Sequence, residues 1–194
     1  TGARTVDEAI AIARAVSAAP ELRLVGAGGY EGALAHDRSA SGLAAVRGYL
    51  RDLAQLHARL DRDGLYGTDL AVVTAGGSAY FDLVADELGA LVDVDGARGI
   101  ATRVVLRSGA YPIHDDGFYR SISPLDGAAS DEPEHLESAM HAWVTIVSTP
   151  EPGLALFDAG KRDLPCDEGL PTAQLIRGRS DRDSARALDG AKVT

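Results

Sequence analysis

Apolar residues recur at helical spacing from the first residues onward. Val6, Ile10, Ala13 and Val16 predict a helix to about Ala18, and Pro20 ends it. Thr5-Val6-Asp7-Glu8 carries the spacing of a capping box at its start. Leu22-Arg23-Leu24-Val25-Gly26 then predicts a short strand, and Ala27-Gly28-Gly29-Tyr30-Glu31-Gly32 a glycine-rich turn. From Ser39 to Asp63 a long helix is expected, with Leu43, Val46, Leu50, Leu53, Leu56 and Leu60 in one stripe. Its opposite face, with Arg47, Arg51, Asp52, Arg59 and Arg62, reads as solvated, and Gly64 as the C-cap. The rhythm repeats twice. Asp69 to Thr74 predicts a strand, Gly76-Gly77 a turn, and Phe81, Val84, Ala85 and Leu88 a shorter helix stopped by Gly89. Arg103 to Arg107 predicts a third strand, ending in Ser108-Gly109-Ala110-Tyr111.

Beyond that point the pattern changes. Residues 126–134 form a polar, acidic stretch without periodicity. Met140 to Thr149 predicts a strand, Pro150-Glu151-Pro152-Gly153 a tight turn, and Leu154 to Asp158 the returning strand of a hairpin. Ala173 to Arg177 predicts one more strand. The chain therefore divides into an alternating α/β part, residues 1–120, and a β-rich part, residues 121–194. Three βα units cannot close a barrel of eight strands. If the first part belongs to such a barrel, the other strands lie upstream of Thr1. With no initiator Met and no finishing element at Ala191-Lys192-Val193-Thr194, the segment is expected to be a piece of something longer.

Composition narrows the function classes. At 194 residues with 45% hydrophobic and 25% charged content, the chain is an ordinary globular sequence with enough length for a real core. A net charge of −10 argues against nucleic acid or an anionic membrane as the main partner. Cys166 is the single cysteine, which excludes an internal disulfide and suits a reducing, cytoplasmic setting. No run approaches the ~18 apolar residues of a membrane span.

The candidate chemistry centres on Thr74-Ala75-Gly76-Gly77-Ser78. A β-branched strand runs into two glycines and then a helical pattern, and N–H groups at a helix start make an anion cradle. Glycine removes the Cβ that would hold a phosphate away. The plainer alternative is a tight strand-to-helix turn with Ser78 as N-cap. Tyr30 stands just past a strand end, placed to pack on a cofactor or to offer its phenol. Glu31, His36 and Asp37 share that loop, and Tyr111 fits core or ligand equally. Lys161 tempts as a Schiff-base amine but lies in the β-rich part. Cys166, Asp163, Asp167, His135 and His141 lack metal-ligand spacing. His114-Asp115-Asp116 reads as a polar turn and His57 as a structural helix residue.

In chain order, Gly29-Tyr30-Glu31-Gly32, Thr74 to Ser78, Arg107 to Tyr111, Phe157-Asp158-Ala159-Gly160-Lys161 and Asp167-Glu168-Gly169-Leu170-Pro171 resemble one family. It is the D-threonine aldolase and D-serine dehydratase group, also called amino acid deaminases: pyridoxal 5'-phosphate (PLP) enzymes of the alanine-racemase-like fold type. The resemblance implies the C-terminal part of a PLP-binding (β/α)8 barrel followed by part of an antiparallel β-rich domain. It implies Tyr30, Thr74, Gly76, Gly77, Ser78, Ser108 and Gly109 as cofactor-binding residues. No catalytic residue and no metal ligand is expected in this chain. The family's Schiff-base lysine falls upstream, and its His-x-Cys or His-x-Asp pair for zinc or manganese downstream. The implied intact protein is a cytoplasmic homodimer, a lyase acting on small D-amino acids. A racemase on the same scaffold and a non-catalytic PLP- or phosphate-binding protein are the alternatives. Two departures stand out: Ala33 replaces a histidine common in the family, and Ser108 replaces a proline.

Overall fold

The computed structural model describes residues 2–125, 136–164, 166–167, 169–175, 186–187 and 190–194. The acidic stretch at 126–134, His135, Glu168 and the end of the strand expected at 173–177 lie outside the described residues.

Helix α1 spans Val6–Ala18, with the Thr5 hydroxyl accepting the Glu8 N–H at 3.2 Å. The Glu8 carboxylate reaches back one residue further than a standard box, to the Arg4 N–H at 2.7 Å. Strand β1 is Gly26–Gly28, later than the apolar run suggests. Leu22 and Val25 are 58% and 45% exposed, and of the run at 22–25 only Leu24 packs against the core. Pairing starts where Gly26, lacking a Cβ, can lie against the Val72 carbonyl. Helix α2 spans Ala40–Arg62, begins with Ser39 accepting the Gly42 N–H, and ends before Gly64 at φ +63°. Strand β2 is Leu70–Ala75, helix α3 Phe81–Leu88, and strand β3 Ala101–Leu106.

The three strands form one parallel sheet in the order β1-β2-β3, each joined to the next through a helix. Along β2, Ala71, Val73 and Ala75 are fully buried while the alternate residues are only partly covered. The buried face meets Val46, Leu50, Leu53 and Leu60 of α2 and Leu83, Val84 and Leu88 of α3. Burying each such side chain contributes roughly 1.5–3 kcal/mol. Arg47 and Arg51 of α2 clamp Glu87 of α3 at 2.7 and 2.9 Å, holding Glu87 below the usual carboxylate range. A buried polar group locks the other end of the sheet. His57 Nδ1 lies 2.8 Å from the Tyr66 hydroxyl and Nε2 lies 3.2 Å from the Thr102 hydroxyl. Thr102 donates to the Ile100 carbonyl, so it accepts from Nε2–H, and Tyr66 donates to Nδ1.

Helix α4, Phe118–Ile122, adds Ile122 to the same core. The β-rich part is an antiparallel hairpin, β4 Ile146–Glu151 and β5 Leu154–Phe157, turning at Gly153 with φ +85°. A short pair, β6 Gln174–Leu175 with β7 Arg186–Ala187, follows. Residues 140–145, expected as the start of β4, make no ladder. The expected α/β fold with a parallel sheet followed by antiparallel strands is present. Among the described residues the parallel sheet has three strands and does not close into a barrel.

Candidate functional site

All seven residues singled out as cofactor contacts sit at the C-terminal edge of the parallel sheet or just beyond it. Parallel sheets commonly bind ligands there, because the loops after several strands converge. The loop after β1 carries Tyr30 and Glu31, that after β2 carries Gly76, Gly77 and Ser78, and that after β3 carries Arg107, Ser108 and Gly109. Three cross-links bring them together.

The first is Glu31. Its carboxylate is fully buried and accepts the Gly76 N–H at 3.1 Å on one oxygen and the Gly77 N–H on the other. The sequence suggests that these N–H groups are exposed; in the structure both glycines are buried and an internal anion holds them. Gly76 sits at φ +113°, a conformation that suits glycine, and brings both N–H groups to one carboxylate.

The second is Ser78. It does not cap α3, whose N-cap is Tyr80 with no side-chain bond. Instead the buried Ser78 hydroxyl accepts the Ala110 N–H at 3.0 Å, tying the loop after β2 to the loop after β3.

The third is Arg107. Its Nε donates to the Thr74 hydroxyl at 2.9 Å, and another guanidinium nitrogen donates to the Gly29 carbonyl. Thr74 in turn donates to the Val105 carbonyl at 2.8 Å, which places its hydroxyl between strands. Arg107 thus spans all three strand ends and brings a cation to an edge where the sequence alone assigns it no contact. Its place at the end of the strand expected at 103–107 was the available signal.

The remaining residues divide clearly. The Tyr30 N–H bonds the Tyr49 hydroxyl at 3.1 Å, and the ring lies beside Gly32 and Gly77. A Cβ on Gly77 would come within 3.2 Å of that ring, so a side chain there displaces Tyr30. Gly109 faces open space. The Ser108 hydroxyl is buried and takes no hydrogen bond among the described residues. Such an orphan costs free energy in the folded chain unless an acceptor reaches it.

Around this edge the structure adds supports. Arg38 donates to the Ala79 carbonyl at 2.7 Å and pairs with Asp82 at 2.5 Å, its guanidinium over the buried Tyr80 ring. Tyr80 donates to the Asp37 carbonyl at 2.9 Å. Asp37 itself receives the Ser39 N–H, and bonds from Ser39 hold its carboxyl below the ordinary value. His36 is exposed. Tyr111 packs edge-on against Phe81, ring centres 5.7 Å apart.

Other candidates fall elsewhere. Lys161 is exposed and faces Asp167 at 3.7 Å. Asp163 receives the Gly160 N–H, His141 bonds Gln174, and Cys166 is a free thiol. Asp115 receives the Gly117 N–H before α4, Asp116 pairs with Arg120, and His114 is buried at φ +46°. Among the described residues no three His, Cys, Asp or Glu side chains group as a metal site.

Comparison with known proteins gives two matches. Residues 139–192 match the model of a putative serine dehydratase domain. The chain is 29% identical over 185 residues to a 3-hydroxy-D-aspartate aldolase of Paracoccus denitrificans (strain Pd 1222). That alignment covers 93% of the chain and 41% of the relative, so the chain spans less than half of the relative's length. Both matches are similarities to D-amino-acid lyases and agree with the resemblance carried by the sequence motifs.

Proposed function

We propose that this chain forms the phosphate side of a PLP site in a lyase acting on β-hydroxy D-amino acids. The matched aldolase and the serine dehydratase domain support that reaction class. On this reading the parallel strands are part of a barrel and the strands after residue 120 part of a second, β-rich domain. The observation that carries the site assignment is the buried, unpaired Ser108 hydroxyl beside a loop cluster bearing Arg107.

The residues present fit a phosphate. Ser108 has an O–H to give, and Ser78, which accepts from Ala110, still has its own proton to donate. Arg107 uses Nε and one terminal nitrogen within the protein, leaving the other terminal nitrogen for an anion. Tyr30, 58% exposed, adds a phenol and a ring wall, and Gly77 leaves room for that ring. PLP, when bound, supplies an electron sink for the substrate's α-carbon. The chain's part is to anchor one end of the cofactor and keep its phosphate in a fixed place.

Ser108→Ala tests the assignment. Removing an unpaired hydroxyl is expected to leave the melting temperature unchanged or slightly raised, while PLP affinity in equilibrium dialysis falls about tenfold. Unaltered PLP affinity in a stable variant would place the phosphate elsewhere.

A further inference from the structure

Glu31 is the fully buried carboxylate of the site, and no Lys, Arg or His among the described residues forms an ion pair with it. A buried charge without a cation is costly unless hydrogen-bond donors compensate it. The compensation here comes from two consecutive main-chain N–H groups, Gly76 and Gly77, shaped by the φ of +113° at Gly76. These are the donors that a strand-glycine-helix loop otherwise offers to an external anion.

We propose that Glu31 is the resident anion of this glycine loop and a positioning residue for the site. It takes the two N–H groups, fixes the loops after β1 and β2 against each other, and keeps ligand phosphate off the glycines. The phosphate is thereby confined to the side-chain donors on the rim, Ser78, Ser108 and Arg107. Only this last statement rests on the phosphate site proposed above.

The physical logic is competition. A tethered carboxylate meets its donors at an effective concentration that a free ligand rarely reaches. A second anion entering the same cradle would also face a negative charge a few ångströms away in a poorly screened interior. The arrangement therefore selects where phosphate lies rather than how strongly the glycines bind it. The sequence distance explains why the loop reads as an open cradle: Glu31 stands 45 residues before Gly76.

The test is a titration of the isotope-labelled chain with inorganic phosphate, read at the backbone amides. In the wild type, the Gly76 and Gly77 amides are expected to hold still throughout. In Glu31→Ala the freed N–H groups should respond to phosphate, with site affinity raised about tenfold. Glu31→Gln, which removes the charge and one acceptor, should give a smaller rise in the same direction. A role in packing alone would lower affinity or leave it unmoved. Phosphate-dependent shifts of Gly76 and Gly77 in the wild type would overturn the proposal, and this arm stands even if the variants do not fold. Folded variants whose glycine amides ignore phosphate would overturn it equally. Titration of the wild type with PLP separates the two ideas. Unmoved Ser78 and Ser108 amides there would count against the PLP site, while the inorganic phosphate result still decides the role of Glu31.

Discussion

The two parts of this chain treat their apolar residues in opposite ways. In the parallel α/β part, Val46, Leu50, Val73, Val84 and Leu88 are completely buried between sheet and helices. In the β-rich part, Trp143 is 77% exposed, Val147 62% and Leu156 47%. An isolated two-stranded hairpin is marginal in water, and its apolar side chains gain nothing until another layer covers them. Rigidity at the candidate site therefore comes from the α/β part. The loops after β1, β2 and β3 stand on a packed unit, whereas the described residues of the segment that matches the serine dehydratase model contribute little to that core.

The largest break in this contrast is expected from Leu50→Ala, at the centre of the α2 stripe. Emptying that site should cost about 2–5 kcal/mol, measured by urea denaturation. A cost below about 1 kcal/mol would mean that the core is not packed as described.

A smaller effect should come from the His57 network. Burial lowers the His57 pKa from its ordinary value, and the Asp61 charge only partly opposes this. The unfolded chain therefore takes up the proton first as pH falls. The stabilisation is complete above the unfolded value of about 6.5, declines below it, and is lost once pH passes the lower folded value. Stability measured from pH 8 down to pH 5 should fall in the wild type. In His57→Gln, which removes the titrating ring, the slope in that window should flatten. An unchanged slope would sever the link between His57 and folding.

The smallest effect sharpens the contrast from the other side. Trp143→Ser, at a site 77% exposed, should shift stability by no more than about 0.5 kcal/mol. A loss comparable to that of Leu50→Ala would show that the β-rich part is packed after all.

Local patterns made the α/β part legible. The Thr5 cap, the stripe from Leu43 to Leu60, and Gly64 after α2 each act within a few residues, and each appears where the sequence places it. What local reading missed was set by distant partners. The run at 22–25 looks like a strand, yet pairing waits for Gly26, where a missing Cβ lets the chain meet Val72. Ser78 looks like a helix cap, but the Ala110 N–H arrives from the next loop. Gly76 and Gly77 look like an open cradle because nothing nearby in sequence announces Glu31. Residues 140–145 carry strand-forming side chains but make no ladder. The convergence of the three loops was readable from glycines following strands. Their donor set was not, because that depends on which side chains meet.

The most direct test of the central claim is a crystal structure of the chain with PLP. Phosphate density is expected at the C-terminal edge of the parallel sheet, within hydrogen-bond reach of the Ser108 hydroxyl, with Glu31 still on the Gly76 and Gly77 N–H groups. Phosphate bound away from that edge, or a chain that takes up no PLP at saturating concentration, would contradict the claim.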